Sequence, residues 1–104
     1  MAPLNWQEIK HRYKKGTMVP QLVGSNSFEV TDVTEDALHF RWRLVEGTLK
    51  RRDLERAVEL IEQGVMRPDK VTLTSDYRTL VTDERPTTAV ALLQDLGYLT
   101  GERC

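Results

Sequence analysis

An α+β fold, a two- to three-stranded antiparallel sheet packed by two or three helices, follows from three observations. Leu38, Phe40, Trp42 and Leu44 alternate with His39, Arg41, Arg43 and Val45, the period of two expected of a strand with one buried face. From Arg52 to Gln63, Leu54, Ala57, Val58 and Ile61 fall on one helical stripe, while Arg52, Glu55, Arg56, Glu59 and Glu62 cover the other side. Between Pro86 and Leu96, residues Ala89, Val90, Leu92, Leu93 and Leu96 make a broad apolar face. Pro86 suits a first helical position and Gly97 suits a helix end.

At 104 residues the chain is expected to be one domain, with residues 1–24 forming a peripheral helix and arm. Hydrophobic content of 39% beside 30% charged residues describes an ordinary globular protein and argues against disorder. No apolar run approaches the roughly 20 residues of a membrane span. The opening Met1-Ala2-Pro3-Leu4-Asn5-Trp6 has no basic segment followed by an apolar one, so no signal peptide is expected. The single cysteine, Cys104, excludes an internal disulfide and a cysteine-based metal site, and predicts a cytoplasmic protein.

Asn5 with Glu8 three residues later fits a capping-box variant, predicting a helix from Trp6 to Lys15 that Gly16 closes. Trp6, Ile9 and Tyr13 share one narrow arc, and the rest is basic, so this helix is expected at the margin of the fold. Pro20 confines any strand over Thr17–Val23 to an edge, since it lacks a ladder donor. Gly24-Ser25-Asn26-Ser27 reads as a loop, and Phe28 to Val33 as a strand with Phe28 and Val30 inward. Thr34-Glu35-Asp36 turns it into the long strand, making a hairpin over residues 28–45. Glu46-Gly47 then offers a turn, and Thr48-Leu49 a short third strand before the helix. Pairs Arg52→Glu55 and Arg56→Glu59 add modest support at i,i+3. Pro68-Asp69 reads as a turn and Val71-Thr72-Leu73 as extended. Ser75 to Val81 is either a helix capped by Ser75 or a β-branched strand, with the helix favoured.

Enzyme signatures are missing, and no enzymatic activity or cofactor is expected. His11 and His39 lie on separate elements, the six glycines are isolated, and no nucleophile elbow occurs. Glu8-Ile9-Lys10 has the Glu-x-Lys spacing of metal-dependent nucleases but no preceding Asp. Glu55, Glu59 and Glu62 read as a solvated face rather than a cation site.

The best functional candidate is cationic. His39, Arg41 and Arg43 project from the polar face of the long strand, with Lys50 and Arg51 beyond the turn and Lys14 and Lys15 on the first helix. Arginines so presented can clamp phosphates. The alternative is a solvated sheet face paired with Glu29 or Glu35. Residues 1–52 carry 9 Lys/Arg against 6 Asp/Glu and residues 53–104 carry 6 against 10, so the net charge of −1 hides a contrast between halves. That balance argues against strong phosphate binding.

Phe28-Glu29-Val30 and Leu38-His39-Phe40, then Leu49 to Ala57, then Pro86 to Leu99, resemble small α+β accessory domains appended to prokaryotic restriction-type nucleases and helicases. In those a hairpin leads into a Ser-Arg-x-x-Leu-Glu helix start; here Lys50 stands where the serine cap would be. The chain is equally similar in style to orphan proteins of mobile genetic elements. The resemblance implies an accessory role near DNA and transfers no catalytic residue. The residues therefore predict a non-enzymatic binding module acting through protein contacts, with an unknown partner or with itself as a homodimer. The alternative is a nucleic-acid-binding module, and no membrane partner is expected.

Overall fold

Asn5 opens the first helix as its pattern requires: its side-chain oxygen accepts the Glu8 N–H at 3.2 Å, relieving one orphan donor. The structure, a computed structural model, describes residues 4–21 and 27–98. Leu22 to Asn26, Leu99 and Cys104 lie outside them, and with them the loop expected at Gly24 and the tail thiol. Helix α1 spans Trp6–Arg12, then strands follow: β1 Met18–Pro20, β2 Ser27–Val33, β3 Ala37–Trp42 and β4 Val45–Lys50. Helices α2 Arg51–Glu62, α3 Lys70–Leu80 and α4 Pro86–Leu96 complete the order.

The sheet is a four-stranded antiparallel meander in the order β1-β2-β3-β4, one or two strands larger than the sequence predicts. Its inner face carries Val19, Phe28, Val30, Leu38, Phe40 and Leu49, each at most 3% exposed. Phe28 and Phe40 meet edge to face, ring centroids 5.3 Å apart, a geometry that suits the aromatic quadrupole. All four helices contribute to the same hydrophobic cluster, through Trp6 and Ile9, Leu54 and Val58, Leu73 and Tyr77, and Val90 and Leu93. No helix among the described residues is long and apolar enough to cross a membrane.

The extra strand comes from a misleading glycine. Gly47 is no turn residue: it pairs with Phe40 inside the sheet, where a Cβ would lie 2.5 Å from Phe40 Cζ. The absence of a side chain, rather than glycine's torsional freedom, decides that position. The turn falls earlier, at Arg43-Leu44, with Arg43 at φ +57°. The long strand therefore stops at Trp42, and Leu44, expected inward, is 99% exposed.

The first helix also departs from expectation. It ends at Arg12, leaving Lys14 and Lys15 outside it, and it is not marginal: Trp6, Ile9 and Tyr13 are each at most 2% exposed. Gly16 lies in the turn before β1 instead of closing the helix, its N–H donating to the Val30 carbonyl of β2 at 2.7 Å. Trp6 gains a polar anchor as well, its indole N–H donating to the Thr34 carbonyl at 2.7 Å. The Tyr13 hydroxyl donates to the Asp95 carboxylate and Arg12 to the Asp95 carbonyl at 3.0 Å, tying α1 to the end of α4.

Helix α2 begins one residue early, and Leu60 joins its buried stripe. Its end is a Schellman cap: Val65 N–H reaches the Leu60 carbonyl and Gly64 N–H the Ile61 carbonyl, with Gly64 at φ +79°. Helix α4 ends the same way, Tyr98 N–H on the Leu93 carbonyl and Gly97 N–H on that of Gln94. Between them, α3 takes in residues 71–73, expected to be extended, and starts at Lys70 instead of being capped by Ser75. Burial of Leu73 and Tyr77 at i,i+4 outweighs the modest helix preference of its threonines and valine.

Two consequences for stability are measurable. Gly47→Ala forces Phe40 out of place and is expected to cost ~1–3 kcal/mol in urea unfolding, against ~2–5 kcal/mol for Leu54→Ala. Burial raises the tyrosine pKa of Tyr13, Tyr77 and Tyr98 above the usual 10, helped at Tyr13 by the hydrogen bond to Asp95. A raised folded-state pKa contributes stability that is whole below the unfolded value and drains away as pH climbs past it. Tyrosinate absorbance at 295 nm is thus expected to lag a free-tyrosine titration and to rise together with loss of the circular-dichroism signal above about pH 10. Ionisation preceding unfolding would contradict this burial.

Candidate functional site

Strand pairing alternates side chains between the two faces, so the register assigns each cation of β3 a row. On the outer face one row runs Met18, Glu29, Arg41, Glu46 across all four strands. Arg41 is bracketed by two carboxylates, and its guanidinium donates to Glu29 Oε1 at 3.0 Å. The next row sets His39 opposite Thr48, with Nδ1 and Oγ1 at 3.1 Å. Lys50, opposite Ala37, reaches Glu84 at 3.7 Å. The outer face is thus a mixed-charge surface.

Arg51 is the most heavily committed cation. It lies in the first turn of α2, with Nε on Glu55 at 3.0 Å, one Nη donating to the Glu35 carbonyl at 3.1 Å, and its guanidinium 5.6 Å over the Trp6 ring. This i,i+4 pair to Glu55 replaces the Arg52→Glu55 pair the spacing predicts, whereas Arg56–Glu59 forms as expected at 2.9 Å. Lys10 bonds Glu35 as well, so the Glu8-Ile9-Lys10 fragment is a buried isoleucine flanked by an ion pair. Glu55 and Glu59 are engaged by arginines of their own helix, which leaves the acidic stripe of α2 largely self-neutralised.

The candidate cations are not brought together. Arg43 sits at the hairpin tip beyond Trp42, whereas Lys50 and Arg51 lie at the other end of the same hairpin. At about 3.3 Å per residue, residues 37 to 42 hold these ends roughly 17 Å apart. Lys14 and Lys15 are exposed in the turn that leads into β1, at the opposite edge of the sheet from β4. Among the described residues, no group of three or more His, Cys, Asp and Glu converges on a common point.

A different cluster emerges at the β3–β4 turn. Arg43 lies 4.9 Å over the half-buried Trp42 ring, Leu44 is 99% exposed and Val45 41%. Two-residue hairpin loops favour Asn or Gly where φ turns positive, because other side chains crowd the backbone there. Arginine at φ +57° followed by a bare isobutyl group is locally unfavourable on both counts. The alternating pattern conceals this turn, since Arg43-Leu44 carries no turn residue and Glu46-Gly47 does.

No family model, curated protein or solved structure matches the chain.

The cation cluster around Glu35 yields a direct test. The hydrogen bond and charge of Lys10, followed by the charge of Arg51, hold the Glu35 carboxyl below its ordinary 4.5. A lowered folded-state pKa gives stability present above the unfolded value and lost as pH falls through the folded one. Carbon-detected NMR titration is expected to place Glu35 below 4.5 in the native protein and to return it toward that value in Lys10→Met. An unchanged midpoint in the variant would remove Lys10 as the cause.

Proposed function

We propose that this protein is a non-enzymatic binding module that works through protein contacts, with the β3–β4 hairpin tip as its anchor. The observation that carries the reading is Leu44, 99% exposed on a turn whose preceding arginine holds a positive φ. A strained backbone presenting an apolar side chain to solvent has no benefit to the isolated fold. Trp42 and Arg43 beside it are the residue types that dominate interface hot spots, because they bury large areas with few rotatable bonds or with forked donors. The charge pattern also supports this reading: Arg41, Lys50 and Arg51 each have a carboxylate within 4 Å, which weakens their claim on phosphates.

Leu44→Asp provides the test, since an exposed substitution away from the core is expected to stay within ~0.5 kcal/mol of wild-type stability. Affinity capture with the full chain is expected to retain a protein at constant stoichiometry that the variant loses. Fluorescence anisotropy against duplex and single-stranded DNA is expected to show no salt-sensitive binding. Identical retention by both proteins would overturn the role of the tip. Micromolar DNA binding with a steep salt slope, abolished by Arg41→Glu with Arg43→Glu, would replace this reading with a nucleic-acid one.

A further inference from the structure

The two edges of the sheet differ. Strand β1 is three residues long, ends in Pro20, which has no N–H, and has α4 beside it, where Pro20, Ala91 and Gln94 line one hollow. These features blunt an edge. Strand β4 is six residues long, and none of its side chains is proline. A two-residue loop makes Trp42–Val45 a hydrogen-bonded pair, so Gly47 and Leu49 bond inward to β3 while Glu46, Thr48 and Lys50 turn their backbone N–H groups outward. Among the described residues no backbone partner meets those of Glu46, Thr48 and Lys50. The edge instead borders an open groove of about 490 Å³, with Gly47, Thr48 and Lys50 on one side and Asp83 to Arg85 on the other.

We infer that β4 pairs antiparallel with β4 of a second copy across a two-fold axis at Thr48. This rests on the reading of the chain as a protein-contact module and names its partner. Charge complementarity favours this register. Any two-fold register sets residue i opposite a fixed mirror residue, and side chains directly opposite share a face. An axis through Glu46 would put two carboxylates opposite each other, and one through Lys50 two ammonium groups. An axis through Thr48 sets Glu46 opposite the partner's Lys50, Lys50 opposite the partner's Glu46, and Thr48 opposite its own image. Both charged rows become attractive together. Roughly four inter-strand N–H···O bonds form, two between the Thr48 backbones and one from each Lys50 N–H to the opposing Glu46 carbonyl. The present partner of Lys50, Glu84, is 60% exposed at 3.7 Å, so exchanging one carboxylate for another removes no buried interaction.

The same axis points the hairpin tip of each copy toward the start of α2 in the other. The apolar hairpin tip then runs beside a groove of about 670 Å³ lined by Ala37, Thr48, Arg51 and Arg52. One axis thus satisfies the free edge and turns the exposed leucine toward the other copy.

The experiment is a charge swap read by sedimentation velocity. Wild type is expected to dimerise with rising concentration. Glu46→Lys alone and Lys50→Glu alone each set like charges opposite, and each is expected to weaken the dimer roughly tenfold or more. An equimolar mixture of the two single variants makes both rows attractive again and is expected to restore association as a heterodimer. Circular dichroism establishes that each variant is folded. Should either fail to fold, amide exchange on wild type decides: the N–H groups of Glu46, Thr48 and Lys50 are expected to become protected as concentration rises. A wild-type monomer at every concentration would overturn the inference and leave the protein-contact reading to its own test with Leu44→Asp. A dimer indifferent to both charges, with no protection at those amides, would place self-association elsewhere and overturn this register.

Discussion

The indole N–H of Trp6 on the Thr34 carbonyl is a partly buried contact at the point where three pieces of chain meet. It fixes α1 against the β2–β3 turn. The other side of the ring lies under the Arg51 guanidinium, which in turn holds the Glu35 carbonyl and the Glu55 carboxylate. A buried tryptophan needs a partner for its one donor, and a cation on its face gains from the ring quadrupole. Both conditions are satisfied at a single point, where the first helix, the central hairpin and the second helix converge. That convergence explains why a helix with only Trp6, Ile9 and Tyr13 to bury belongs to the core.

The elements most legible in the sequence were those whose physics is local. Asn5, Pro86 and Gly97 mark helix ends through capping chemistry that acts within a few residues, and the stripe of α2 is visible because one of its faces is buried throughout. The elements misread were set by partners far away in the chain. Gly47 is required by the Phe40 ring across the strand pair, Gly16 by the Val30 carbonyl, and the start of α3 by the cluster that receives Leu73 and Tyr77. The turn at Arg43-Leu44 has no compositional mark at all. Consequently Arg43 lies in the turn, one residue beyond the end of the strand that carries His39 and Arg41.

The candidate cations illustrate how sequence spacing and electrostatics diverge. Alternation along β3 correctly placed His39 and Arg41 on the polar face, but the sign of that face is set by what lies across from them. Glu29 and Glu46 come from strands on either side, and a positive run in one strand becomes a row in the sheet where carboxylates outnumber the arginine. Exposed ion pairs of this kind add little to stability, and their chief effect is on which surfaces approach each other.

Strand β4 passes into α2 with no residue between Lys50 and Arg51, and the Arg51 N–H closes the junction on the Asp36 carbonyl at 2.7 Å. Hairpin and helix are therefore joined as a rigid elbow rather than by a pliable link. A pull on the outer end of the hairpin is therefore carried along the strand into the first turn of α2, with no slack segment to absorb it.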